Sequence, residues 1–128
     1  MEIKKGYDIF VARVFLSLIF LVGVFGFLTN FNGTVGYISS LGVPLAMFFT
    51  IVAIIFKLSG SLMLLIGWET KIAAYLLITF TTVAILLAHL NFSDPVQVTQ
   101  FLKNLAIIGG LILISGTGPG AFSLSKKR

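Results

Sequence analysis

Four long apolar runs, each about as long as a bilayer crossing, constrain this chain more than any other feature. They cover roughly 10–28, 44–66, 72–90 and 96–115. A membrane-spanning helix takes about 20 residues, so four of them use roughly 80 of the 128 and leave only short connections and two tails. Of the residues, 58% are hydrophobic and only 10% charged, where a soluble domain carries about 25% charge. A water-solvated surface cannot be built from that stock. The same arithmetic excludes a soluble enzyme on an anchor, a two-domain protein and any sizeable extramembrane domain.

Inside hydrocarbon every backbone N–H and C=O must find a partner within the protein, which permits helices or a closed barrel. Runs of this length without alternation are helical. The expected fold class is all-α, a membrane-embedded four-helix bundle. Such helices pack through small residues, and the sequence offers Gly23 and Gly26 in the first run, Ser59, Gly60 and Ser61 in the second, and Ala106, Gly109 and Gly110 in the fourth. The first run follows Lys4 and Lys5, as a secretory signal would. It is as long as a full span and no small-x-small cleavage site follows, so a retained helix is expected.

The connections read as follows. Residues 29–42 are polar and glycine-rich, with Pro44 placed to open the second helix, where its missing N–H costs nothing. Gly67 to Lys71 form a tight turn that sets Trp68 at the membrane–water interface. Asn91 to Pro95 make the third connection, and Gly116, Gly118, Pro119 and Gly120 terminate the last helix rather than cradle a phosphate.

Nine basic against four acidic residues give a net charge of +5. The basic residues sit at the ends of apolar runs, not in a patch interleaved with aromatics, so the lipid bilayer surface is the expected partner and nucleic acid is not. Lys4, Lys5, Arg13, Lys71, Lys126, Lys127 and Arg128 all fall on one side of a four-span path, and the first and third connections hold no Lys or Arg. Both termini are therefore expected in the cytoplasm. The chain has no cysteine, which excludes disulfides, zinc–thiolate sites, thiolate-bound iron–sulfur clusters and dithiol redox chemistry. Its single histidine cannot ligate a haem on both faces. No metal cofactor is expected.

Polar groups within the runs need individual reasons, because a charge at mid-bilayer costs about 2.5–3.5 kcal/mol or more. Lys57 lies 13 residues after Pro44 and 10 before Gly67, too deep for its amine to reach water easily, and none of Glu2, Asp8, Glu69 or Asp94 lies inside a span to pair with it. Three roles are open to it: an amine held by carbonyls, water and hydroxyls such as Ser61 or Thr79, a contact to an anionic or carbonyl-bearing small molecule between helices, or an interface with another membrane subunit. Lys103 shares a helical face with Ala106 and Gly110 and is expected to look into the bundle. His89 leaves the third run on the same outer side as Lys103, Gln100 and Asn104, and such a group suits a quinone carbonyl or a proton relay. Arg13, with Ser17 one turn on, is expected to snorkel to lipid phosphate. Candidate ligand-binding residues are thus Lys57, His89, Lys103 and Asn104, with Arg13 a fifth.

In order along the chain come Arg13 with Ile19-Phe20-Leu21 and Gly23, Phe31-Asn32-Gly33-Thr34 with Gly36-Tyr37, and Leu41-Gly42-Val43-Pro44. Gly60 with Leu62 to Gly67 follows, then Trp68-Glu69-Thr70-Lys71 with Ala73-Ala74, His89, Lys103-Asn104-Leu105 with Gly109-Gly110-Leu111, and Gly118-Pro119-Gly120 with Ser123-Leu124. In this ordered set the chain resembles the DoxX family of small four-helix membrane proteins, over roughly residues 10–124. It departs from the family in carrying Lys57 where a glutamate commonly precedes a Gly-Gly pair, and Ser125 where an acid usually follows Ser-Leu.

The resemblance implies a single transmembrane domain over 1–128 in the bacterial inner membrane, linked to thiosulfate:quinone oxidoreductase and to a complex handling oxidative stress and sulfur redox chemistry. The expected function is an accessory subunit of a membrane oxidoreductase that binds a small redox-active or anionic ligand, with a quinone as the candidate cofactor and a redox enzyme or a second copy of the chain as partner. It is not expected to be catalytic alone. Two other functions fit: a small oligomeric transporter or channel lined by Lys57, and a structural assembly protein.

Overall fold

The computed structural model describes residues 7–88 and 90–120. These form five helices: α1 Tyr7–Thr29, α2 Phe31–Ser40, α3 Ala46–Ile66, α4 Thr70–Ala88 and α5 Pro95–Thr117. Four of them, α1, α3, α4 and α5, are long and apolar enough to cross a membrane. The all-α bundle with four spans is therefore the fold.

Each span buries one stripe and gives the rest to lipid. On α1 the stripe is Arg13, Ser17, Phe20 and Val24, at helical offsets of four, three and four. On α4 it is Thr70, Ala73, Ala74, Leu77, Thr81 and Ile85, whereas α5 buries only Leu111 and Ile114. Large side chains elsewhere, among them Phe15, Val22, Phe25, Leu86 and Leu113, are exposed as lipid-facing groups should be. The spans stand in a ring in the order α1, α3, α4, α5, and the seam that closes it, between α5 and α1, is the loosest of the four.

α1 begins, and α5 finishes, at the same end of the bundle, called the inner end here because the basic residues lead one to expect it on the cytoplasmic side. The apolar core lies in that inner half. Leu64 near the end of α3, Ala73, Ala74 and Leu77 near the start of α4, and Leu111 and Ile114 near the end of α5 meet Phe20 there. Gly60 is what lets α3 approach α4, because a Cβ on it would lie 2.8 Å from Leu77 Cγ and 3.4 Å from the Ala73 carbonyl oxygen. Gly110 gives α1 similar room beside Leu16. Gly26 and Gly109 have nothing within 4 Å of that position, and Ser59 and Ala106 are exposed, so these small residues do not serve packing within the chain.

The connection at 29–42 departs from expectation, since most of it is helix. The backbone ladder runs almost without a break from α1 through Asn30, whose N–H donates to Gly26 O (3.2 Å), into α2, where Thr34 N–H donates to Asn30 O (2.9 Å). A helix satisfies these groups locally beside hydrocarbon, where an open loop would not. That requirement overrides the poor helix propensity of Gly33 and Gly36. Pro44 does not open α3 either. Gly42 and Leu45 both adopt left-handed backbone (φ 87° and 53°) to reverse the chain, and the helix starts at Ala46. The N1 proline is instead Pro95, after Asp94, whose carboxylate accepts from Val96 N–H at 3.0 Å.

The direction of the spans can be checked directly, because the chain has no native cysteine. Ser93 and Lys71 are both exposed, in the third connection and at the start of α4. Ser93→Cys should react with an impermeant maleimide on intact spheroplasts, and Lys71→Cys only after the membrane is opened. The opposite pattern would invert the topology.

Candidate functional site

Above the apolar core, in the outer half of the bundle, the four spans line a cavity of about 190 Å³ that is open on one side. Every span contributes: Phe20 and Gly23 from α1, Lys57 from α3, Thr81 from α4, and Lys103 with Asn104 from α5. Depths agree with helix geometry. At 1.5 Å per residue, Gly23 lies about 9 Å from the outer end of α1, Thr81 about 10 Å from that of α4, Lys103 about 12 Å from that of α5, and Lys57 about 17 Å from that of α3. Helical side chains lean toward the N-terminus, which for α3 is the outer end, so the Lys57 stem climbs toward the level of the others.

Lys57 is only 8% exposed. Its Nζ lies 4.2 Å from the centroid of the Phe27 ring and 5.0 Å from that of Phe80, an arrangement in which two aromatic faces stabilise the cation. It rests against Gly23, where a Cβ would collide with the amine. The hydroxyls expected to hold it do not. Ser61 Oγ donates to Leu58 O at 3.2 Å, and Thr79 is exposed on the lipid side of α4. Among the described residues no carboxylate lines the cavity, and Lys103 adds a second cation to it.

Thr81 was not legible as a site residue. Threonines in helices commonly return their hydroxyl proton to a carbonyl one turn back, as Thr50 does to Ala46 O (2.7 Å) and Thr99 to Pro95 O (3.1 Å). The buried Thr81 Oγ1 has no such partner and borders the cavity. The signal available in the sequence was its place on the stripe with Ala74 and Leu77, at offsets of seven and four.

Of the sequence candidates, Lys57, Lys103 and Asn104 come together. Lys103 remains exposed at the edge of the cavity rather than turned fully inward, because the packed face of α5 runs through Leu111 and Ile114 and leaves Ala106 outside it. His89 lies outside the described residues, as do Lys4, Lys5, Ser123, Leu124, Ser125, Lys126, Lys127 and Arg128. Arg13 is elsewhere, and its expected snorkelling to phosphate does not occur. It is fully buried in the inner half, where Nη1 donates to Leu64 O (3.0 Å) and Leu65 O (3.1 Å) at the end of α3. The carbonyls of the last helical turn lack intrahelical donors and carry the negative end of the helix dipole, so a buried guanidinium finds there both acceptors and favourable potential. Glycine at the left-handed position after α3 completes this terminus, with Gly67 N–H on Leu64 O and Trp68 N–H on Met63 O.

Among the described residues, no three His, Cys, Asp or Glu side chains gather in a way that would hold a metal ion. The cavity offers an ammonium, a second cation at its edge, an amide, an unengaged hydroxyl and aromatic walls. That set donates hydrogen bonds and positive charge. It can hold an anion or a carbonyl oxygen, and it contains no nucleophile paired with a base.

Comparison with known proteins gives three results. The DoxX family model matches residues 9–90. The chain is 35% identical over 126 residues to inner membrane protein YqjF of Escherichia coli, covering 98% of this chain and 95% of that protein. It is 33% identical over 122 residues to inner membrane protein YphA of the same organism, at 91% and 87% coverage. The yeast ER-derived vesicles protein ERV29 of Saccharomyces cerevisiae is 28% identical over 129 residues, which is 97% of this chain and 34% of that protein. No solved structure matches the chain.

Proposed function

Because the chain belongs to the DoxX family and is a multi-pass protein of the bacterial inner membrane, we propose that it serves as an accessory subunit of a membrane oxidoreductase or redox-stress complex, holding a small anionic or carbonyl-bearing molecule between its helices. The observation that carries this reading is the Lys57 ammonium, 8% exposed, facing a cavity that holds a second cation and, among the described residues, no acid. Burying an uncompensated charge is costly, and a ligand that supplies the missing acceptor gives it a reason. Lys57, Lys103 and Asn104 are the contacts, and Thr81 joins them. His89 keeps its candidacy from the sequence alone. Arg13 is assigned to holding α3, away from the ligand. Although the family match ends at residue 90, α5 belongs to the same domain, since it packs on α4 and brings Lys103 and Asn104 to the cavity.

A quinone fits this donor set through its ring carbonyls, and when bound it would supply the electron transfer for which this chain has no group of its own. The volume suits one ring, being well below the roughly 300–1,000 Å³ of drug-sized pockets. Conduction is supported less well. Below the cavity Leu64, Leu77 and Leu111, each fully buried, fill the inner half, which favours a pocket with one mouth over a continuous path.

Native mass spectrometry of the protein released gently from its membrane tests the reading. The wild type should retain a non-covalent small molecule and a redox-enzyme partner, and Lys57→Met should lose the small molecule. The same substitution should leave stability unchanged or raise it by up to about 2 kcal/mol, since relief of a buried charge with no carboxylate partner offsets the loss of its contacts to the Phe27 and Phe80 rings while the volume is kept. A Lys57→Met protein that unfolds would make the lysine structural, and a Lys57-dependent ion flux in liposomes would favour the channel.

A further inference from the structure

We propose that the occupant of this cavity is a lipid-soluble acid, a carboxylate head on a single hydrocarbon chain, which enters sideways from the outer half of the bilayer between α1 and α5. This deepens the binding reading above and rests on it.

Charge selects the head. Lys57 and Lys103 line one space with no carboxylate among the described residues that line it. In a site of low dielectric a neutral carbonyl answers one hydrogen-bond donor but leaves both positive charges standing, whereas a carboxylate compensates charge and accepts from several donors at once. Thr81 Oγ1, buried without a partner at the same wall, is a further donor in wait. Its residue is 3% exposed, and Asn104 on the neighbouring α5 adds an amide to the lining.

Size and position of the mouth select the tail. About 190 Å³ accommodates a head and a few methylenes, not a long chain. The remainder must lie outside, and what lies outside is hydrocarbon. On α1 the lining residue Ile19 is 40% exposed, and on α5 Lys103 is exposed, so the two walls that reach the surface flank the loosest seam of the ring. A water-soluble anion would have to leave bulk water for a mouth that lies about 12 Å inside the outer end of α5, beyond Gln97 and Gln100. An amphiphile already dissolved in the membrane would not.

The test uses the full chain in nanodiscs of uncharged phosphatidylcholine, with bound probe counted by native mass spectrometry. The probes are oleate, oleyl alcohol, butyrate and a short-chain ubiquinone analogue. Oleate should bind one per chain, at least about thirtyfold more tightly than oleyl alcohol, as expected when a buried charge loses its partner. Butyrate should bind much more weakly than oleate. Lys57→Met should abolish the preference for oleate. Gly23→Ala keeps every charge but puts a methyl where the amine rests, so it should weaken oleate at least about tenfold while circular dichroism stays helical. Equal binding of oleate and oleyl alcohol overturns the acid head, and butyrate binding as tightly as oleate overturns the tail and the lateral route. Lys57-dependent binding of the quinone analogue in preference to oleate overturns the present inference yet leaves the binding reading standing. If no probe binds to well-folded protein, both fall.

Discussion

Replacing Arg13 by methionine is expected to destabilise the bundle by about 2–4 kcal/mol, the largest loss from any single polar substitution in the chain. Methionine fills much of the same volume, so the effect isolates the guanidinium. What disappears is the pair of hydrogen bonds to Leu64 O and Leu65 O, made where Arg13 is fully buried and water cannot take over. Leu64 O keeps the Gly67 N–H, but the carbonyl of Leu65 loses a donor at a helix end where no residue one turn further on continues the ladder. Arg13→Lys should recover about half of the loss, because one ammonium cannot reproduce a planar fork. Unfolding in mixed micelles, followed by circular dichroism, measures both. A loss below about 0.5 kcal/mol for Arg13→Met would return this residue to the lipid surface, where a snorkelling arginine contributes that little.

Gly60→Val should cost about 3 kcal/mol, at the upper end for overpacking a core. A Cβ at this position already falls 2.8 Å from Leu77 Cγ and 2.9 Å from its Cδ2, and Leu77 is fully buried in the core. The two helices must separate, and Leu64 and Ala73 lose contacts with them. Gly109→Ala is the matching control. Nothing lies within 4 Å of its added methyl, so the gain in helix propensity, about 0.5–1 kcal/mol, should leave that variant as stable as wild type or more so. If Gly60→Val and Gly109→Ala behave alike in thermal unfolding, the close approach of α3 and α4 is not what the glycine provides.

The spans were legible because hydrocarbon imposes a single requirement, length of apolar helix, and the observed ends fall within three residues of the expected ones at each of the four. What the sequence hid was of two kinds. α2 was hidden by composition: Asn32, Gly33, Thr34 and Gly36 look like a loop, and only the need to satisfy backbone groups beside lipid makes them helical. Arg13 was hidden by an ambiguity of depth. A guanidinium six residues into a helix can reach either headgroups or a neighbouring helix end, and the choice is made by Leu64 and Leu65, more than fifty positions away in sequence.

The site divides the same way. Lys57, Lys103 and Asn104 could be found because polar side chains in apolar helices are conspicuous. The aromatic partners of Lys57 could not, since Phe27 and Phe80 are two among 13 phenylalanines and nothing in their neighbourhood marks them. Thr81 needed the burial stripe of α4 before it could be told from the exposed Thr79 and Thr82.

The seam between α5 and α1 joins the fourth span to one made three spans earlier. A ribosome that has delivered three spans has therefore released a trough and not a container, with an ammonium and a bare hydroxyl facing acyl chains until the fourth segment is threaded in beside them. Insertion of α5 and burial of those two groups are one event, so a chain halted before α5 advertises its own incompleteness to whatever proteolytic machinery patrols the membrane.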